Sequence, residues 1–194
     1  MNKFVIFGVV AVVAVFLLSG FGTYNSLVAL DQNAQAKWAQ VEGQYQRRID
    51  LIPNLVATVK GAANFEQTTL DQVVEARAKA TQVVVDPTKL DSASIAKYQA
   101  AQGELGQALG RLLAVSENYP KLTATENFKD LQSQIEGTEN RIAVARKEFG
   151  DAVQSYNTSV RKFPGNIFAR IFGFSEKAYF TADAGASKAP SVAF

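Results

Sequence analysis

The chain has no cysteine and no histidine. Without thiols it can supply no disulfide, no thiolate nucleophile and no thiolate metal ligand. Without imidazole it lacks the side chain whose ordinary pKa lies nearest neutrality, which is also the commonest metal ligand. Two of the usual routes to an enzyme site are therefore closed, and no cofactor is expected. Charge of one sign is scarce as well: 20 basic against 18 acidic residues leave a formal net charge of +2, too little for a field that would hold a polyanion over the whole surface. The basic residues are dispersed, in nothing longer than an adjacent pair such as Arg47 and Arg48, so nucleic acid is not an expected partner. Proline is sparse, five in 194 residues, which makes the placing of each one informative. What is plentiful is apolar sequence, at 47% of the chain, enough for one folded domain with a core.

Between Lys3 and Asp31 no charged side chain occurs, and FVIFGVVAVVAVFLL from Phe4 to Leu18 is unbroken apolar sequence. Residues 4–24 suffice to cross a hydrocarbon layer of ~30 Å at ~1.5 Å per residue. They predict an anchor over residues 1–26 that places the chain in a lipid bilayer. A cleaved signal peptide is the competing reading. It is disfavoured because no clean A-x-A site follows Leu18 and helical sequence restarts at once in YNSLVALDQNAQAKW. Lys3 precedes the span, whereas Asp31 and Lys37 beyond it nearly cancel. This balance favours a cytoplasmic N-terminus in a single-pass protein of the bacterial inner or plasma membrane, with the body on the non-cytoplasmic side.

Beyond the span the periodicity is helical throughout. Phe128, Leu131, Ile135, Thr138, Ile142, Ala145, Phe149, Ala152, Tyr156, Ser159 and Phe163 fall at alternating spacings of three and four, a coiled-coil-like seam for packing against other helices. Trp38, Val41, Tyr45, Ile52, Leu55, Val59 and Ala62 keep the same rhythm, with Arg48 the polar intruder. Pro53 stands in the middle of that stretch. Asp50 could cap a new helix with Pro53 in its first turn, where a missing amide costs little. A reversal there would leave partners too short to cover the long apolar seam, and no turn-forming cluster lies between Tyr45 and Ile52. The expectation is one rod from about residue 27 to 84, kinked at Pro53 but not reversed. Asp91 or Ser92 then caps a third run. Thr123 or Thr125 caps the next, Thr123 having Glu126 at capping-box spacing. VKGAAN is read as helix interior rather than a phosphate loop, because the strand context is missing. The fold class is all-α: an N-terminal transmembrane helix, then an elongated antiparallel bundle of long helices over residues 27–180, then a flexible tail over 181–194 rich in Ala, Gly and Ser.

The end of the last long helix changes character. In KFPGNIFARIFGFSEKAYF, Pro164 stops the helix and NIFARIF makes two turns before Gly173. Phe163, Phe168, Ile171 and Phe172 either close an open end of the bundle or touch a bilayer or partner, with Arg170 at hand for lipid head groups.

The residues also carry a likeness. Trp38, Tyr45, Arg48, DLIPNLV at 50–56, Val59, Lys60, Glu66, Leu70, Val73 and Glu75 to Arg77 are followed by Glu139 to Ile142, Ala145, Arg146, Tyr156, Asn157, Phe163, Pro164, FGF at 172–174, Tyr179 and Phe180. Over roughly residues 20–182 this set closely resembles the LemA family of bacterial membrane-anchored proteins. The resemblance implies a single N-terminal transmembrane helix and an elongated helical bundle, and brings no catalytic or cofactor residue with it.

For function, the best polar cluster is Arg47, Arg48, Asp50 and Asn54 near the proline, joined in space by Glu139, Arg141 or Arg146. Each acid there sits beside a base that keeps it ionised, so ion pairs fixing helix register explain the cluster better than acid–base chemistry does. The leading expectation is a structural or interaction protein of the cell envelope that binds a protein partner or itself as a homo-oligomer. A lipid-surface module acting through the Phe-rich end at 163–180 comes second. A hydrolytic enzyme with a carboxylate site near Asp50 comes third, and would show itself by an enclosed polar pocket there.

Overall fold

The computed structural model describes residues 3–62 and 65–181; the tail expected over 181–194 lies outside them apart from Thr181. The described elements are all helices: α1 (Lys3–Lys60), α2 (Gln67–Gln82), α3 (Ser92–Ser116), α4 (Pro120–Thr123), α5 (Glu126–Arg161) and α6 (Gly165–Phe172). They form two compact units, one of the chain up to Gln44 with Ile142–Lys177, the other of Tyr45–Arg141 with the chain from Ala178 on.

α1 is a helix of 58 residues with Pro53 inside it. The chain does not reverse at the proline, as expected from the missing turn residues. Pro53 lies on an exposed face, while Ile52 and Leu55 on either side are buried, so its ring meets solvent rather than the core. The N-terminal part of α1 is a candidate membrane span, and its Phe4, Phe7, Val9, Val10, Leu18 and Phe21 are exposed. That surface is of the kind a membrane span presents.

The rod does not continue to residue 84. It ends at Lys60, where Gly61 and Ala62 donate to the carbonyls of Thr58 and Val59, the tightened closing bonds of a helix terminus. α2 then runs back along α1, since Arg77 reaches the Ile49 carbonyl. Val59 and Lys60 of VKGAAN are thus the last residues of a helix, and running back along α1 gives the apolar face of α2 a partner, which a straight rod would not.

In the second unit the directions alternate. α2 is antiparallel to α3, with Lys79 beside Glu104 and Gln72 beside Arg111. α3 runs with α1, Tyr98 facing Tyr45 and Gln102 facing Arg48, and the start of α5 descends past Arg48 at Glu139. The result is an up-down-up-down arrangement of helical segments around Ile52, Leu55, Val59, Leu70, Leu105, Leu112, Phe128 and Ile135. Burying each such side chain contributes about 1.5–3 kcal/mol. Asp91 caps α3 as expected, its Oδ1 accepting from the Ser94 amide at 2.8 Å. The capping box at Thr123 does not form: Thr123 belongs to α4, its hydroxyl donating back to the carbonyls of Tyr119 and Pro120.

In the first unit α1 and α5 are antiparallel. Lys37 pairs with Glu148, Trp38 stacks edge-on against Phe149, and Leu27 packs with Tyr156 and Val160. The seam of α5 is buried at Phe149, Ala152, Tyr156 and Ser159, but Phe163 is 79% exposed. It falls after the last helical residue, Arg161, where the spacing of three and four no longer governs direction. The Phe163–Pro164 peptide bond is cis, and α6 starts at Gly165 close under the Ser159 carbonyl, where a Cβ would collide. Gly173 ends α6 at φ 79°, a left-handed conformation that glycine adopts without penalty.

Candidate functional site

Arg48 is the buried cation that the apolar rhythm of α1 singled out. Only 3% exposed, it is held on three sides. Nη1 meets Glu139 Oε1 at 2.6 Å, and Nη2 donates to both the backbone carbonyl and the Oε1 of Gln102 at 2.9 Å. The guanidinium also lies 5.1 Å from the Tyr45 ring centre, a favourable cation–π distance. Of the residues expected to join it, Glu139 does. Asp50 is exposed and accepts from Gln46 Nε2 at 2.7 Å. Asn54 is exposed, its carbonyl taken by the Thr58 hydroxyl. Arg141 is exposed, and Arg146 is half-buried in the other unit. The enclosed polar pocket that a hydrolytic site at Asp50 requires is therefore not what surrounds it. Gln102 and Tyr45 were missed as partners of Arg48; the signal for Gln102 was a polar residue on the otherwise apolar face of α3.

The same unit has a groove of about 650 Å³ between the end of α1 and α4, lined by Thr58, Ala62, Tyr119, Lys121, Leu122 and Asn127 among others. Among the described lining residues Lys121 is the one charged side chain.

The first unit holds a second polar node, which the sequence pattern did not reveal. Lys177 is buried and its Nζ lies 2.8 Å from Asp31 Oδ1. The ammonium sits 5.2 Å from the Tyr156 ring centre. Asn157 clamps the backbone of the same residue, donating to the Lys177 carbonyl at 2.8 Å and accepting its amide at 2.9 Å. Tyr156 donates to the Ser175 carbonyl at 2.9 Å. Burial, aided by the Asp31 charge, pushes its phenol up to about 12. Asp31 is the first charge after the span, and the Tyr156–Asn157 pair stood out in the sequence, but a lysine so near the chain's end reads as solvated. Glu42, also in this unit, is raised by burial, an effect the nearby Trp38 partly offsets.

α6 presses against the exit end of the span. Phe168, 3% exposed, lies 4.8 Å from Phe16 by ring centres and rests on Gly20, where a Cβ would meet its ring at 2.9 Å. Phe172 meets Tyr24 edge-on at 5.0 Å and Phe174 meets it at 5.9 Å. Ile171 points away, 63% exposed. Pro164 is exposed and precedes the first turn of α6.

The residues quoted above for the likeness thus occupy structural nodes: Arg48 with Glu139, Asn157 with Lys177, and Tyr156 in the core. The family model described as LemA family matches residues 37–194. The chain belongs to the LemA family. Magnetosome protein MamQ 2 of Paramagnetospirillum magneticum is 29% identical over 192 aligned positions, covering 90% of this chain and 69% of that protein. Magnetosome protein MamQ of Magnetospirillum gryphiswaldense is 28% identical over 174 positions, covering 81% of this chain and 64% of that protein. Protein LemA of Metamycoplasma hominis is 22% identical over 182 positions, covering 92% and 78% respectively. The LemA match begins just before Trp38, beyond the apolar stretch of α1. Together, LemA membership and the candidate span support membrane anchoring.

Proposed function

We propose that this LemA-family chain is a single-pass membrane-anchored interaction protein of the bacterial cell envelope, with its body on the non-cytoplasmic side, engaging a protein partner or a second copy of itself. The supporting observation is that α1 carries both the candidate span and, further along without a break, the buried positions Leu27, Trp38, Ile52 and Leu55. A helix that serves lipid at one end and core packing beyond it holds the body at the membrane surface. The full-length chain, affinity-tagged and purified in mild detergent after cross-linking in cells, is expected to bring down one recurrent protein or to run as an oligomer. Recovery as a monomer alone in several detergents would sink the interaction reading. The side of the membrane is read separately: Lys121→Cys, unique in a cysteine-free chain, is expected to react with a membrane-impermeant maleimide on spheroplasts.

A second reading, action on the lipid surface through residues 163–180, is favoured by the seat of α6 against Phe16, Gly20 and Tyr24.

A further inference from the structure

We infer that α6 is an interfacial membrane helix, lodged in the leaflet that the α1 span exits, with its free apolar edge among acyl chains and Lys162 and Arg170 on the phosphates of anionic head groups. This rests on the lipid-surface reading and deepens it by naming the ligand class.

The position follows from contacts within one unit. Phe168 against Phe16 and Phe172 against Tyr24 set α6 beside residues 16–24 of α1. A span needs all of residues 4–24 to cover ~30 Å at ~1.5 Å per residue, so residues 16–24 are its last ~12 Å. Whatever surrounds that stretch surrounds α6. Phe16, Leu18 and Phe21 are exposed there, and the exposed edge of α6 extends the same apolar surface: Phe163 at 79%, Ile167 at 38%, Ile171 at 63% and Phe172 at 44%. The inward residues, Phe168 and Ala169, are already buried, so the outer edge has no place left in the protein interior.

The acidic side chains near this edge, Asp31 and Glu176, each face a cation. Lys177 is taken by Asp31, and Arg161 has Glu176 at 3.8 Å. Lys162 and Arg170 are exposed, with no side-chain partner among the described residues. Their apolar stems can follow the hydrocarbon boundary while the heads reach outward, and a guanidinium presents a planar fork of donors that fits phosphate oxygens.

The test uses the full chain, because removing the span would strip Phe168 and Phe172 of their seat. Ile171→Cys, Leu18→Cys and Lys147→Cys each give a unique site for a nitroxide label. The labelled chains are reconstituted in vesicles of phosphatidylcholine alone or with one third phosphatidylglycerol, and collisions with oxygen and with a water-soluble nickel chelate are measured. In the mixed vesicles the label at 171 is expected to match that at 18, oxygen-rich and several-fold less accessible to nickel than at 147. Lys162→Gln with Arg170→Gln is expected to raise nickel access at 171 several-fold and to abolish its dependence on phosphatidylglycerol. Immersion at 171 that ignores both lipid charge and this double substitution overturns the head-group assignment and leaves the lipid-surface reading standing. Nickel access at 171 equal to that at 147 overturns both. Shielding from both reagents shows a protein covering this edge and also overturns the inference.

Discussion

Arg77 Nε donates to the Ile49 carbonyl at 3.4 Å, the oxygen that Pro53, four residues on, has no N–H to serve. A proline in a helix interior costs roughly 3 kcal/mol, through the lost bond and the ring's clash with that carbonyl. An added donor recovers part of the first term, at the about 0.5–1.5 kcal/mol typical of a hydrogen bond.

Pro53→Ala should therefore stabilise the chain by about 1–2 kcal/mol. Arg77→Met should cost about 1 kcal/mol in the native sequence and only a few tenths in the Pro53→Ala background, where the new backbone amide serves the Ile49 carbonyl. Denaturation of the four chains in one detergent measures both; equal costs in the two backgrounds would disprove the compensation.

The Arg48 node makes a different demand. Glu139→Gln takes the negative charge away from the buried guanidinium and leaves it neutral partners, and should cost about 1–3 kcal/mol. Arg48→Met removes the charge but strands Gln102, at about 2–4 kcal/mol. Combined, the two should cost clearly less than their sum, because Arg48→Met removes the group that made Glu139 necessary. Strict additivity in melting experiments would show that the two residues do not act as a pair.

Tyr156 gives the fold an alkaline limit. Its phenol is raised from an ordinary 10 to about 12 in the folded chain, so between these values the folded state holds a proton that the unfolded state has lost. Stability from this group is complete below pH 10 and falls as pH rises towards 12. Tyr156→Phe should flatten the stability profile in that window, and absorbance titration of the native protein should show a late-ionising component that this substitution removes.

Two glycines should respond in opposite directions to alanine. Gly165 lies against the Ser159 backbone carbonyl, whereas a Cβ at Gly150 would meet nothing within 4 Å. Gly165→Ala should destabilise by about 1–3 kcal/mol through overpacking against a group that cannot rotate away. Gly150→Ala, inside α5, should stabilise by about 0.5–1 kcal/mol. Thermal melts of the pair decide the matter, and a neutral Gly165→Ala would rule out the close approach.

The sequence was legible where a signal was local or periodic. Asp91 lies just before an apolar rhythm and caps α3; Pro53 lies in a rhythm too steady to break, and α1 passes through it. The misreadings arose where tertiary packing outweighed local pattern. Nothing near Gly61 announced a reversal as strong as the apolar face of α2 required. Thr123 had the spacing of a capping box, but Pro120 had already started α4. Of the candidate site, Arg48 was visible as a charge in an apolar row, yet its partner among several nearby acids and bases had to come from the register of α5. The Lys177 node was not visible at all, because a lysine reads as solvated unless its ammonium is known to face a specific carboxylate.

Asn157 grips the backbone of Lys177 by both its amide and its carbonyl, and that determines how much of the C-terminus can be trimmed. An exopeptidase that stopped at Thr181 would leave the grip intact. One that went on through Lys177 would take the cation from Asp31, the backbone partner from Asn157 and the ammonium from the face of Tyr156 in a single cut. Fusion partners and purification handles therefore belong after Thr181, and a chain shortened past that point should be handled as a folding mutant rather than as a minimal version of the protein.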